Sequence, residues 1–224
     1  MGRRALPKIN PALDITGRLL EFDELPRPWQ TAALFGREGP LEVEIGSGKG
    51  LFLRSAGVAQ PQVNYLGIEV AFKYARFAAA KAVQAGATNV VLVHGDAVRV
   101  FAELLPDAQL DAVHVYFPDP WWKKRHKKRR VVRQSLLADI QRTLRPGGRF
   151  HLWTDVEEYY QTALALIAAS TQLEGPLPVD ELPAYRTHFE RRTRLDGAPV
   201  YRAEFRKKGP GVGGQGSGMG DSSV

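Results

Sequence analysis

The sequence contains no cysteine, which excludes a disulfide framework, a thiolate metal site and a cysteine nucleophile. It also lacks a run of about 18 apolar residues, the length that a membrane-spanning helix requires. No apolar segment follows Arg3 and Arg4, so the amino terminus does not resemble a secretory signal. We therefore expect a cytoplasmic protein that is not bound to a membrane.

Positive charge is concentrated in one short segment. The 224 residues include 31 Lys and Arg against 24 Asp and Glu, a formal charge of +7. Residues 123–133 (KKRHKKRRVVR) hold eight basic residues and no acid, which leaves 23 basic and 24 acidic residues elsewhere. Such a run is typical of a surface that contacts phosphates. A solvated charged face or a disordered arm would explain it equally well.

Apolar runs alternate with amphipathic stretches from residue 41 onward. The runs predict five strands, at 41–45, 64–70, 89–94, 110–117 and 149–153. Helices are predicted at 50–59, 71–85, 97–105, 131–144 and 156–169, the last with Thr154 or Asp155 as its N-cap. Almost wholly apolar strands that alternate with helices predict an α/β fold whose parallel sheet is covered on both faces. Two further strands, near 186–192 and 200–207, would add an antiparallel edge.

The chain is long enough for one sizeable core. Residues 1–40 contain five prolines and predict an irregular N-terminal arm with one short helix. The domain itself is expected to span residues 41–208. Residues 209–224 (GPGVGGQGSGMGDSSV) are rich in glycine and serine, which predicts a disordered tail.

The first predicted strand ends in a glycine-rich turn, Glu44-Ile45-Gly46-Ser47-Gly48-Lys49-Gly50. Glycine lets a ligand approach the backbone closely, and the helix that follows offers unpaired N–H groups. A phosphate-binding P-loop would need glycine at Val43 and a hydroxyl residue at Gly50, and a dinucleotide fingerprint would need glycine at Leu51. The turn therefore indicates a nucleotide-like ligand without identifying it.

Carboxylates stand at the ends of three predicted strands. Glu69 ends the second strand, 23 residues after Gly46, where an acid can accept hydrogen bonds from a ribose diol. Asp96 follows the third strand, where it caps the next helix, meets an adenine amino group, or does both. Glu44 would lie under the glycine loop. Ligands of such sheets bind at the carboxyl ends of the strands, and an acidic pocket suits a cationic ligand better than a pyrophosphate.

The fourth strand runs into Tyr116-Phe117-Pro118-Asp119-Pro120-Trp121-Trp122 and then into the basic run. Prolines on both sides of Asp119 restrict the backbone at the mouth of the pocket. Trp121 and Trp122 either pack in the core or offer faces on which a base stacks, beside cations that bind phosphates.

These motifs resemble those of bacterial tRNA (guanine-N(7))-methyltransferases over about residues 41–206. The shared motifs are LEVEIGSGKG, YLGIEV, HGDAV, FPDPWWKKRHKKRR, RPGG, Thr154-Asp155 and Thr187-His188-Phe189-Glu190. The resemblance implies a Rossmann-like class I methyltransferase, with a mostly parallel seven-stranded sheet, an antiparallel edge strand and helices on both faces. The chain departs from the family pattern at Arg191-Arg192-Thr193, where many members have Arg-Gly.

The same resemblance implies a role for each matching residue. S-adenosyl-L-methionine would be bound by Glu44, Gly46, Gly48, Glu69, Asp96 and Asp119, and Asp119 would also be the catalytic residue. The target nucleotide would contact Lys123, Asp155, Thr187, His188, Phe189 and Glu190. The RNA backbone would contact Lys124, Arg125, Lys127, Lys128, Arg129 and Arg130. The implied partner is tRNA, modified at guanosine 46 of the variable loop, and we expect no metal and a monomer or homodimer.

The chemistry agrees with the residues available. N(7) of guanine carries an in-plane lone pair and no proton, so its methylation needs no strong general base. Positioning would supply most of the rate, and a carboxylate, Asp119 first and Asp155 next, would stabilise the base as it becomes cationic. Two simpler roles stay open, namely helix capping for Asp155 and an ion pair with a neighbouring arginine for Glu190.

Three other functions compete with this interpretation. An aminopropyltransferase or a small-molecule methyltransferase with the same fold has no need of eight cations in eleven residues. A non-catalytic RNA-binding protein has no use for acids at three strand ends. An NAD-linked oxidoreductase is disfavoured by Leu51 in place of the third glycine.

Overall fold

The computed structural model describes residues 6–120, 130–179 and 186–209. The strands within these ranges are β1 (Leu19–Glu21), β2 (Leu41–Ile45), β3 (Asn64–Glu69), β4 (Val90–His94), β5 (Leu110–Tyr116), β6 (Leu144–Thr154), β7 (Glu174–Leu177) and β8 (Tyr201–Arg206). The helices are α1 (Thr31–Phe35), α2 (Leu51–Ala59), α3 (Phe72–Gln84), α4 (Ala97–Glu103), α5 (Gln134–Thr143), α6 (Glu157–Ser170) and α7 (His188–Leu195), and a 3-10 turn spans Phe22–Glu24.

The eight strands form one sheet in the order β1-β4-β3-β2-β5-β6-β8-β7. Strands β1 to β6 pair in parallel, whereas β8 runs antiparallel to both β6 and β7. The expected α/β architecture, mostly parallel with an antiparallel edge, is confirmed. All five strands predicted between residues 41 and 153 form, and β2 has the predicted bounds.

The two faces of the sheet pack against different helices. On one face, Val43 packs with side chains of α4, α5 and α6, such as Leu136. On the other face, Leu92 packs with Phe52 of α2 and Ala79 of α3. Burial on both faces explains why the strands read as nearly continuous apolar runs. Each large apolar side chain buried in this way stabilises the fold by about 1.5–3 kcal/mol.

The strand predicted near 186–192 is wrong, because this segment begins helix α7. Its N-cap is Thr187, whose Oγ1 accepts a hydrogen bond from the N–H of Glu190 at 3.0 Å. The outer strand of the antiparallel edge is β7, which contains Pro176. Proline is tolerated at an edge because one side of the strand has no neighbour that needs its N–H.

The start of one helix and the N-cap of another also differ from the prediction. Helix α5 begins at Gln134 rather than 131. The N-cap of α6 is Val156, so the prediction of Thr154 or Asp155 is wrong. The hydroxyl of Thr154 instead accepts a hydrogen bond from the N–H of Val156 at 3.2 Å, and the side chain of Asp155 is exposed.

The first forty residues contribute more structure than predicted. Strand β1 pairs with β4, and Phe22 and Leu25 are buried in the core, so the described sheet has eight strands rather than seven. A three-residue strand is too short to show a periodic pattern. Residues 210–224 of the predicted tail lie outside the described residues. In the part of the chain that the structure describes, no helix is long and apolar enough to cross a membrane.

Candidate active site

Acidic side chains line the carboxyl ends of five neighbouring strands. In the order of the sheet they follow or end β4, β3, β2, β5 and β6, and they are Asp96, Glu69, Glu44, Asp119 and Asp155. The carboxyl ends of parallel strands meet at one edge, so residues that are far apart in the chain share one cleft. This edge is the candidate active site.

The glycine loop between β2 and α2 leaves open space above its backbone. Gly46, Gly48 and Gly50 all have positive φ angles, at 76°, 53° and 67°, which favour glycine. A Cβ atom at Gly50 would stand 2.6 Å from the Cβ of Ala78, so the end of the loop packs tightly against α3. A Cβ atom at Gly46 would meet nothing within 4 Å. The end of the loop is therefore fixed against α3, whereas the space beside Gly46 is open to a ligand.

Glu69 secures the glycine loop from the adjacent strand. Its Oε2 accepts a hydrogen bond from the N–H of Gly48 at 2.9 Å, and its Oε1 accepts one from the N–H of Ala71 at 2.9 Å. Each oxygen keeps a second lone pair, which leaves the carboxylate able to accept from a ligand hydroxyl. Glu69 thus fixes the glycine loop and the start of α3, and its remaining lone pairs are available to a ligand.

Glu44 is a buried acid whose Oε2 has no hydrogen-bond partner among the described residues. Its side chain belongs to a residue only 3% exposed. Burial, with repulsion from Glu69, raises the pKa of Glu44 well above its usual range. The buried hydroxyl of Ser47 in the same loop also lacks a partner in the described chain. Buried polar atoms usually have hydrogen-bond partners, so these two oxygens beside the glycine loop are available to a polar or cationic ligand.

Asp96 caps α4 and remains exposed. Its Oδ1 accepts a hydrogen bond from the N–H of Val98 at 2.9 Å, so the capping role considered from the sequence is confirmed. His94, two residues earlier, was not singled out by the sequence. Its Nδ1 lies 2.7 Å from Glu21 of β1, and its Nε2 lies 3.2 Å from the carbonyl oxygen of Val70. Its position at the end of β4 is the sequence signal that would have placed it at this edge.

The loop after β5 presents Asp119 from a strained backbone. Phe117 has a φ of 50°, which is uncommon for a residue other than glycine and is often found at functional sites. Its N–H donates to the carbonyl oxygen of Trp153 at 2.7 Å, which ties the loop to β6. The side chain of Asp119 is exposed at this edge.

Arg130, a residue of the basic run, contacts the loop that carries Asp119. Its Nε donates to the carbonyl oxygen of Pro120 at 2.8 Å, and its guanidinium lies 5.1 Å above the ring of Tyr159. The other predicted RNA contacts and the two neighbouring tryptophans lie outside the described residues. They are Trp121, Trp122, Lys123, Lys124, Arg125, Lys127, Lys128 and Arg129.

Helix α7 brings the Thr187–Glu190 motif to the same cleft. Phe189 is 57% exposed, and its ring stacks on Phe117 with centroids 6.1 Å apart and planes at 17°. Burial, together with the charges of Arg54, Lys49 and Arg191, lowers the pKa of His188.

Glu190 is fully buried and engaged by protein groups. Its Oε2 accepts from the N–H of Arg186 at 2.6 Å, and its Oε1 lies 3.2 Å from Arg202 and 3.5 Å from Arg194. The ion pair considered from the sequence is therefore present. Among the described residues, no group of three or more His, Asp or Glu side chains is placed to hold a metal ion.

Comparisons with known proteins identify the family to which the chain belongs. A family model described as "Putative methyltransferase" matches residues 38–203. A tRNA (guanine-N(7)-)-methyltransferase of Rhodopirellula baltica is 46% identical over 219 residues, which cover 93% of this chain and 81% of the relative. A protein of the same name from Cupriavidus pinatubonensis is 38% identical over 204 residues, covering 88% and 80%.

A solved structure shares the fold. It is a variant of the 16S rRNA (adenine(1408)-N(1))-methyltransferase from Catenulisporales acidiphilia with cosubstrate SAM, at a TM-score of 0.55 and 19% identity, covering 80% of this chain and 91% of that one. The similarity inferred from the motifs is confirmed by the match to the family model and by relatives that align over most of their length. The chain belongs to the tRNA (guanine-N(7)-)-methyltransferase family.

Proposed function

We propose that this chain transfers a methyl group from S-adenosyl-L-methionine to N(7) of a guanine in tRNA, giving 7-methylguanosine, and that the acceptor is guanosine 46 of the variable loop. The observation that carries the proposal is the row of acids at adjacent strand ends, around a glycine loop that is open in front. The names of the relatives from Rhodopirellula baltica and Cupriavidus pinatubonensis supply the substrate.

The described residues fit a cationic adenosine derivative. Glu44, whose buried oxygen lacks a partner, would neutralise the positive end of the cofactor, beside the open backbone of Gly46 and Gly48. Glu69 would accept from the ribose hydroxyls, and Asp96 would meet the adenine amino group. When bound, S-adenosyl-L-methionine supplies an electrophilic methyl group on a sulfonium sulfur.

Glu69→Gln should weaken cofactor binding about tenfold or more, because a hydrogen bond to a charged acceptor contributes about 1.5–3 kcal/mol. The amide NH2 would face the N–H of Gly48 or Ala71, where a carboxylate oxygen now accepts. Titration calorimetry with S-adenosylhomocysteine measures the effect. Glu103→Gln, which alters only an exposed pair with Arg99, is the matched control. Equal affinities for the two variants would exclude Glu69 from the cofactor site.

Asp119 is the catalytic residue in this proposal. N(7) attacks with its own lone pair, so no side chain has to remove a proton before the transfer. The guanine becomes cationic as its new bond forms, and a carboxylate already positioned at the cleft stabilises that charge without reorganisation. Asp155, exposed at the end of β6, would accept from the donors N1–H and N2–H of the guanine.

The target base would lie between this edge and α7. We propose that exposed Phe189, stacked on Phe117, offers the base a flat apolar surface, with His188 and Lys123 beside it. Thr187 and Glu190 are engaged in capping and ion pairs, so their contribution includes holding α7 in place.

The basic run would bind the tRNA backbone. Its members Lys124, Arg125, Lys127, Lys128, Arg129 and Arg130 follow the catalytic loop directly, so one segment would hold the RNA and present its guanine to the methyl group. We further propose a cytoplasmic enzyme, monomeric or homodimeric, whose methyltransferase domain spans 41–208 with residues 1–40 as an arm that supplies β1.

The test is incubation with methyl-labelled S-adenosyl-L-methionine and unmodified tRNA, followed by nucleoside analysis. We expect 7-methylguanosine, and none when another base replaces guanosine 46 of the tRNA. Label in a base other than guanine would overturn the reaction assigned here. Label that persists after the replacement would overturn the position only.

A further inference from the structure

Arg186 connects the start of α7 to the end of β5. Its Nη1 donates to the hydroxyl of Tyr116 at 3.2 Å, and its guanidinium lies 5.3 Å above the ring of Trp153 and 5.6 Å above that of Phe52. Its own backbone N–H donates to Glu190. One residue therefore contacts the sheet, α2 and α7 at once.

The contact continues inward as a chain of buried hydrogen bonds. The Tyr116 hydroxyl lies 2.9 Å from Nδ1 of His114, and Nε2 of His114 lies 2.9 Å from Oε2 of Glu42. Burial lowers the pKa of His114, so its ring is neutral. With Nε2–H donating to the carboxylate, Nδ1 accepts from the Tyr116 hydroxyl, whose oxygen accepts from Arg186. Each hydrogen bond in this chain then runs from a donor to an acceptor, whereas the buried Nε of Arg186 has no hydrogen-bond partner among the described residues.

Arg186 also contributes to the charge balance of this network. Although burial favours the protonated form of Glu42, the hydrogen bond from His114 and the charges of Arg186 and Arg149 lower the pKa of Glu42. Burial raises the pKa of Tyr116, which keeps the phenol protonated and able to donate to His114. A guanidinium suits this place, because it lies over the ring of Trp153 while one of its N–H groups donates to the hydroxyl of Tyr116.

We propose that Arg186 is a positioning residue for the target base, which fixes α7 relative to the loop that carries Asp119. Tyr116 directly precedes Phe117, and Arg186 directly precedes Thr187, so the Arg186–Tyr116 hydrogen bond sets how Phe189 meets Phe117. This inference rests on the proposed function, because the base it positions is the guanine. The cofactor loop is held by Glu69 instead, so cofactor binding does not depend on Arg186.

Three variants test the proposal, namely Arg186→Lys, Tyr116→Phe and the double variant. Each single change should lower kcat/KM for tRNA about tenfold, through loss of one charge-assisted hydrogen bond. The double variant should be no worse than Tyr116→Phe alone, because that change already removes the hydrogen bond that Arg186→Lys removes. Affinity for S-adenosylhomocysteine should stay within about twofold. The control Arg145→Ala, which alters an ion pair at the amino-terminal ends of β5 and β6, should match the unaltered protein in kcat/KM.

Amide hydrogen exchange separates this proposal from the proposed function. If Arg186 positions α7, exchange in residues 188–195 should quicken in Tyr116→Phe, whatever the substrate proves to be. Tyr116→Phe removes a single oxygen atom, so it keeps the test available if Arg186→Lys does not fold. Unchanged exchange in α7, or reductions of kcat/KM that multiply in the double variant, would overturn the inference.

Discussion

Asp119→Ala should reduce methyl transfer by about two to three orders of magnitude, the range typical when one group that stabilises transition-state charge is removed. Asp119 lies in a loop that is fixed before and after it. The N–H of Phe117 donates to a carbonyl oxygen of β6, and Arg130 donates to the carbonyl oxygen of Pro120. Because the negative charge is already positioned, its loss is not compensated by reorganisation of the site. The rate of transfer from labelled S-adenosyl-L-methionine to unmodified tRNA measures the effect.

Binding should survive the same substitution. Asp119 is exposed and no hydrogen bond to the described protein depends on its side chain, so the fold and the tRNA affinity should be nearly unchanged. Asp119→Asn, which keeps the shape and removes the charge, should lose a similar amount of activity. The control is Asp107→Asn, a change of an exposed acid that lies before the amino-terminal end of β5. Normal turnover in the Asp119 variants would remove this residue from the mechanism.

Replacing Lys123, Lys124, Lys127 and Lys128 together with Ala should weaken tRNA binding and flatten its salt dependence. For each lysine–phosphate ion pair that the substitutions abolish, the slope of log affinity against log salt should fall by about 0.7–0.9, so four pairs would lower it by about 3. The reason is counterion release, which disappears when the cations that displaced the counterions are gone. Filter binding at several salt concentrations gives the slope.

A second set of lysines provides the matched control. Changing Lys8, Lys73, Lys81 and Lys208 to Ala removes the same charge from outside the run, so a general electrostatic effect would weaken both variants equally. We expect the slope to change only when the run is altered. An unchanged slope in the first variant would mean that the run is a solvated face, as the sequence also allowed.

The sequence predicted the central sheet well because the signals there are local. The run Leu41–Ile45 is largely apolar and ends in glycines, and the structure gives β2 the same bounds. The acids Glu44, Glu69 and Asp96 were recognisable because each stands at the end of such a run. Parallel strands bring their carboxyl ends to one edge, so the strand pattern alone predicted that these acids meet.

The periphery was harder to predict because its local patterns are short. Residues 186–192 were predicted to form a strand, yet Thr187 caps a helix there, with its hydroxyl accepting from the N–H of Glu190. The three residues of β1 become a strand only because β4 offers an unpaired edge. Short segments have weak preferences of their own, and tertiary contacts decide their structure.

The amino-acid sequence by itself determined the class of fold, the family and the edge of the sheet proposed to bind the ligand, because these depend on periodicity and on motifs of adjacent residues. Only the tertiary structure decided how the site is held together. Glu190 and Arg186 belong to or adjoin the Thr187 motif, but their partners Arg202 and Tyr116 come from distant strands. Burial gives those contacts their strength, because an unmatched charge is costly in a low-dielectric interior, and no local pattern records which distant residue matches it.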